Sequence, residues 1–169
     1  MIEIKRIDKT YHEDFKKINL KIRETLTNQK WFMPFSEDNI NNMFNENSTL
    51  VVFGAFIDGV LGAVSLFDHN QNEFIEMAKT IGYSGKKGAE LGGSMVLPEF
   101  RGKNLMLNIN YALIDEARNM GIEYFIATAH PDNLASNNSL KKLGMIYKTT
   151  LTRDGGYVRN VYVLDLKKA

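Results

Sequence analysis

The apolar positions change period several times along the chain, and each change marks a new element. Ile2 and Ile4 alternate with charged residues and predict a first strand. Behind them Tyr11, Phe15, Ile18, Ile22 and Leu26 recur every three or four places, which is one face of a helix. Thr10, with Glu13 three residues on, has the form of a capping box for that helix. Ser36 followed by Glu37 and Asp38 opens a second helix, with Ile40, Met43 and Phe44 as its apolar face. Residues 49–57 and 60–67 are apolar and β-branched, and only Asp58-Gly59 separates them, so they predict a tight hairpin.

The second half continues in the same manner. Residues 71–83 read as a helix, and 82–88 as a glycine-rich loop. A strand over 89–97 is stopped by Pro98. A long helix follows from Asn104 to Met120, with Leu105, Ile109, Leu113 and Ala117 on one face and Gly121 as its left-handed cap. Residues 124–129 form a short buried strand, and 133–143 a helix closed by Gly144. Strands over 145–152 and 157–166 meet at Arg153-Asp154-Gly155-Gly156, a second hairpin. The order predicts one α/β (α+β) domain over 1–169, its sheet antiparallel at the hairpins and parallel where a helix crosses over.

Composition narrows the function. A formal charge of +1 provides no field to gather a polyphosphate chain, so neither nucleic acid nor membrane is expected as a partner. Zero cysteines removes disulfides, thiolate zinc, iron–sulfur clusters and a cysteine nucleophile. His12, His69 and His130 stand apart, and no metal is expected. The longest apolar run, 50–57, is too short to span a bilayer, and the first residues lack a signal-peptide core. A cytoplasmic protein is the expectation.

Two stretches carry candidate chemistry. From Glu90 to Met106 a strand ends at a proline, a basic loop with Arg101, Gly102 and Lys103 follows, and a helix begins at Asn104 and Leu105. The first N–H groups of a helix lack internal partners and its dipole is positive there, so two added cations make an anion site. A pyrophosphate suits it better than a single carboxylate; a solvated basic turn is the plain alternative. The loop Trp31-Phe32-Met33-Pro34-Phe35 is unusually apolar: it either plugs the core or walls a substrate pocket.

The segment Val96-Leu-Pro98-Glu-Phe-Arg101-Gly-Lys is similar to the V-x-P-x-[YF]-R-G-K motif of GNAT-superfamily N-acetyltransferases. The stretch Asn133-Leu-Ala-Ser136 through Leu140, Lys142, Gly144 and Met145 resembles their N-x-x-A-x-x-L-Y-x-K-x-G-F motif. The resemblance implies the GNAT fold, a central mixed, mostly antiparallel sheet of about seven strands flanked by helices. It also implies acetyl-CoA as co-substrate and a primary amine as acceptor, and a small-molecule amine is the expectation here. By the same resemblance Met95 and Val96 offer backbone N–H groups to the pantetheine arm and thioester oxygen. Arg101, Gly102, Lys103, Asn104, Leu105 and Met106 cradle the pyrophosphate, and Asn133 bonds the arm or simply caps its helix.

Glu90, six residues before Val96, matches the place of the family's general base. Strand alternation puts Glu90, Gly92, Ser94 and Val96 on one face. Leu140 stands where many relatives carry the tyrosine that protonates the leaving thiolate, so Tyr147 is named as an alternative acid and Tyr157 as a second. Trp31, Phe32, Phe35 and Tyr157 are the expected acceptor pocket. Met106 puts a side chain where relatives bring backbone to the pyrophosphate. An acetyltransferase of a protein N-terminus or lysine, a non-catalytic acyl-CoA-binding module and a bare interaction domain are the competing readings. Many relatives pair as homodimers, and the resemblance leaves that open here.

Overall fold

The computed structural model of the chain describes residues 1–32 and 35–167; Met33 and Pro34 of the apolar loop lie outside that range. In chain order the elements are β1 (Ile2–Arg6), α1 (His12–Thr25), α2 (Glu37–Asn42), β2 (Leu50–Ile57), β3 (Val60–Asp68) and α3 (Ile75–Thr80). There follow β4 (Gly88–Val96), α4 (Leu105–Asn119), β5 (Tyr124–Ala129), α5 (Leu134–Leu143), β6 (Ile146–Arg153) and β7 (Tyr157–Asp165). The strands form one seven-stranded sheet in the order β1-β2-β3-β4-β5-β7-β6. The β4–β5 pair is parallel and the others are antiparallel, the mixed sheet expected from the element order.

Local chemistry explains most boundaries. Asp58 and Gly59 both take positive φ, 49° and 83°, the left-handed pair that a two-residue hairpin needs. Ser36 caps α2 in a reciprocal box with Asn39. The box expected at Thr10 does not form. Asp8 instead accepts from the Thr10 amide and hydroxyl at 2.9 and 2.6 Å, and a 3₁₀ turn at Lys9–Tyr11 precedes α1. A carboxylate two residues upstream is the stronger acceptor, and it claims the hydroxyl. The helix expected over 71–83 is likewise split. Asn70 caps a 3₁₀ turn at Gln71–Glu73, Phe74 leaves helical geometry at φ −137°, and its ring is buried beneath α3.

Helices cover both faces of the sheet. On one face Ile109, Leu113 and Ala117 of α4 pack on Phe67, Leu91 and Phe125. On the other, Phe15, Ile18 and Ile22 of α1 pack on Val52, Val64 and Met95. A third cluster joins Phe74 and Met77 to Ile126, Val161 and Val163. Phe32 and Phe35 belong to the α1 cluster, and Phe35 meets Phe15 edge to face at 5.6 Å.

Strand β4 carries the irregularity that shapes the site. Leu66 pairs with Gly92 but Val64 pairs with Met95, so β4 holds one extra residue, a bulge. Gly93 takes φ +61° there, and Ser65 fastens the bulge through Ser94 Oγ at 2.9 Å. The bulge exchanges the faces of the strand. Leu91 packs toward α4, Met95 toward α1, and Val96 back toward α4. Glu90 and Val96 therefore lie on opposite faces, which corrects the expectation that Glu90, Gly92, Ser94 and Val96 share one.

Candidate active site

Strands β4 and β5 pair from Gly88↔Tyr124 to Leu91↔Ala127 and then part. Beyond that point β4 stays with β3 as far as Val96, and β5 stays with β7 as far as Ala129. The facing edges of Gly92–Val96 and Thr128–Ala129 thus have no ladder partner on that side. An opening in a sheet edged by free peptide groups fits an extended, amide-bearing ligand, because those groups need hydrogen bonds. Of the two backbone donors expected from sequence, Val96 turns its N–H to this edge, whereas the Met95 N–H faces β3, as does that of Leu97, which donates to the Gly62 carbonyl.

The basic loop meets the mouth of the opening. A 3₁₀ turn at Pro98–Phe100 leads through Gly102, φ +81°, to Asn104, which takes the left-handed conformation at φ 57° and starts α4. Asn is among the residues that tolerate this geometry. Asn104 gives the helix no side-chain cap, and the first bond along it runs from Asn108 N to the Asn104 carbonyl. The amides of Leu105, Met106 and Leu107 are therefore available to an anion. Arg101, Gly102, Lys103 and Asn104 are exposed, Leu105 is buried in the α4 core, and Met106 is half-buried. Lys142 reaches over from α5, its Nζ 3.4 Å from Asn104 Oδ1, and adds a third cation that the sequence reading did not assign.

Asn133 caps α5, its Oδ1 accepting from Ser136 N at 3.2 Å. The buried polar junction is its neighbour Asn137. Asn137 Nδ2 donates to the carbonyls of His130 and Asn133, while its Oδ1 accepts from Asn160 Nδ2 and from the Tyr162 hydroxyl at 2.6 Å. These bonds lock α5 and the His130 turn onto β7.

On the opposite sheet face, at the root of the opening, sits Glu90. Its carboxylate accepts from Arg153 Nη1 at 2.6 Å and Nη2 at 3.3 Å, with both side chains under one-fifth exposed. Burial pushes the Glu90 carboxyl up, Arg153 pulls it back, and Asp68 and Glu73 push it further; the balance lies above the ordinary carboxylate value. A hydrogen-bonded carboxylate held at elevated basicity is a competent proton acceptor.

The apolar loop divides its residues between two roles. Phe32 and Phe35 enter the core, as above. Lys30 donates to the Gly155 carbonyl at 2.8 Å and stands over the Tyr157 ring at 4.5 Å, tying the loop to the β6–β7 hairpin. Trp31 faces the His130 ring at 6.4 Å. The segment thus bridges from the end of β5 to the hairpin, with Trp31 and Tyr157 at its two ends. Tyr147 lies on the other sheet face, paired across from Tyr162, half exposed, its hydroxyl bonded to Thr150 Oγ1 at 2.7 Å. Leu140 packs against the α4 core and brings no hydroxyl. Among the described residues no group of His, Cys, Asp or Glu is placed to hold a metal ion, and no helix is long and apolar enough to cross a membrane.

An opened parallel strand pair thus lies beside an uncapped, basic helix start. The chain belongs to the acetyltransferase (GNAT) family, whose model matches residues 7–145. The enzyme class is thereby acetyl-CoA-dependent acetyltransferase. Three solved structures share the fold. A Salmonella typhimurium protein with its cofactor acetyl-CoA is 20% identical, with 99% of this chain and 95% of that one covered and a TM-score of 0.73. The ribosomal-protein-S18-alanine N-acetyltransferase of Escherichia coli is 16% identical, with coverage of 98% and 94% and a TM-score of 0.71. The Drosophila melanogaster polyamine N acetyltransferase, which forms N acetylagmatine, is 14% identical, with coverage of 98% and 100% and a TM-score of 0.69. The comparison with curated proteins finds no match.

Proposed function

We propose that the protein moves an acetyl group from acetyl-CoA to the primary amine of a small molecule by direct attack. The observation that carries this reading is the buried Glu90 carboxylate at the root of the β4–β5 opening, on the face roofed by the 29–32 segment. Acetyl-CoA supplies the acetyl group as an activated thioester. The residues present fit it: α4 offers three free amides and Arg101, Lys103 and Lys142 offer positive charge for the pyrophosphate, while the Gly92–Val96 edge offers peptide groups to the arm.

An alkyl ammonium has a pKa near about 10, so the attacking nitrogen must first lose a proton. Glu90 takes it, directly or through water. The nitrogen then bonds to the acetyl carbon as the carbon–sulfur bond breaks, and the backbone N–H of Val96, on the free edge of β4, faces the carbonyl oxygen as it gains charge. Sulfur leaves with the electron pair; a thiol pKa near about 8.5 lets it depart as thiolate, which then takes up the second proton that the nitrogen sheds on becoming an amide, so Leu140 in place of an acid does not forbid turnover. The narrow roof from Lys30 to Gly155 favours a small acceptor over a peptide.

Thermal unfolding with and without acetyl-CoA tests the reading. Ligand at 100 times its dissociation constant stabilises the fold by about 2.7 kcal/mol, several degrees at this size. A rise of that order, abolished by Arg101→Glu with Lys142→Glu, supports the site. No shift at millimolar ligand overturns it.

A further inference from the structure

Arg159 is 2% exposed and makes no salt bridge among the described residues. Its Nη1 donates to the carbonyl of Val158 at 2.8 Å, and the guanidinium lies 5.2 Å from the Tyr157 ring centre. These are neutral partners. Burial and the neighbouring Arg153 both press its pKa below the usual guanidinium value, yet it is a group that stays charged. A buried cation with no counter-charge is costly, and folded chains generally pair it.

Its position gives that charge a use. Arg159, Tyr157 and Arg153 alternate along the second hairpin on the sheet face that holds Val161 and Leu151, which is the face of Glu90. Arg159 sits one residue beyond the last β5–β7 rung, Ala129↔Asn160, beside the widest part of the opening. Lys30 roofs the same tyrosine. This side of the sheet therefore gathers three cations, Arg153, Arg159 and Lys30, and an acidic group, Glu90 with Asp68 and Glu73 near it; Arg153 pairs with Glu90, and Arg159 is left with neutral partners. An ammonium drawn to Glu90 and an oxyanion drawn to Arg159 would satisfy both ends.

Resting on the acetyltransferase reading above, we propose that the acceptor is an amine that also carries an oxyanion, a carboxylate or phosphate, and that Arg159 is its specificity-determining partner. The guanidinium fork matches either anion in two parallel hydrogen bonds. Spermidine-like amines, with cations at both ends, would be excluded.

The test is calorimetric titration of the CoA-saturated protein with matched pairs: β-alanine, γ-aminobutyrate and phosphoethanolamine against the carboxamides of the first two and ethanolamine. CoA release from acetyl-CoA is followed with the same compounds. We expect at least about tenfold tighter binding, and a similar ratio in kcat/KM, for the anionic member of one pair. The two anion types separate carboxylate from phosphate recognition. The preference falls to near parity in Arg159→Gln and survives in part in Arg159→Lys. If the Gln variant does not fold, the wild-type ratio and the Lys variant decide. Parity in every wild-type pair, tighter binding of neutral amines, spermidine or a peptide amine, or a preference unmoved by Arg159→Lys and Arg159→Gln overturns the proposal while leaving the acetyltransferase reading intact. Loss of acetyl-CoA binding itself is failure of that broader reading.

Discussion

The Glu90–Arg153 pair links folding, charge and turnover through two side chains. Because the folded Glu90 carboxyl is raised above its ordinary value, its contribution to stability is present at low pH, where it is protonated in both states, and is lost as pH rises through the folded value. We expect the stability of wild type relative to Glu90→Gln to fall over that interval, measured by unfolding at a series of pH values. For turnover the sign reverses, since the base must be ionised. The acid limb of kcat/KM should lie above the ordinary carboxylate range and disappear in Glu90→Gln, whose rate should fall about 10²- to 10⁴-fold with acetyl-CoA affinity retained. A wild-type limb at an unperturbed carboxylate position would assign the base elsewhere. Asn137 acts at the same scale. Truncation to Ala strands the buried Tyr162 hydroxyl and two carbonyls, and should cost about 2–4 kcal/mol in chemical denaturation.

At the scale of elements, the bulge in β4 and the start of α4 rest on backbone conformations with different tolerances. Gly93 combines φ +61° with a closed surround, where an added Cβ would stand 2.8 Å from Phe35 Cζ and 3.0 Å from Leu66 Cδ2. Gly93→Ala should therefore destabilise by about 1–3 kcal/mol and weaken acetyl-CoA binding, because the opening depends on the bulge. Asn104 has a similar φ but is exposed. Asn104→Gly should change the melting temperature little, while Asn104→Val should cost about 1–2 kcal/mol. Similar effects of the Gly and Val variants would contradict the left-handed start of α4.

For the whole molecule, electrostatics separates the two ends of the site. Arg101 and Lys103 are exposed and Lys142 reaches the same helix start, so acetyl-CoA affinity should weaken as salt is raised. An acetylated pantetheine lacking the nucleotide should show little salt dependence by the same titration. The Glu90–Arg153 pair is shielded from solvent and should respond to salt much less. Equal salt sensitivity of both thioesters would remove the loop from the pyrophosphate cradle.

What the chain determines by itself is what short-range chemistry can specify. Asp58-Gly59 sets a hairpin because both residues tolerate positive φ, and Gly121 and Gly144 end helices for the same reason. The four-residue spacing of Ile109, Leu113 and Ala117 already names the face that α4 buries. The loop 98–106 is legible as an anion site because a helix start and its flanking cations are consecutive in sequence. Period-two reasoning failed at β4, since the bulge that turns Val96 away from Glu90 is fixed by Ser65 on another strand. Arg153 lies 63 residues from Glu90, and Lys30 lies 125 from Gly155. No local pattern records such pairs; only the packing of the sheet and its roof brings them together. The buried charge of Arg159 is of the same kind. Its position on a strand face can be read from alternation, but its lack of a counter-ion among the described residues is decided only by which elements pack around it.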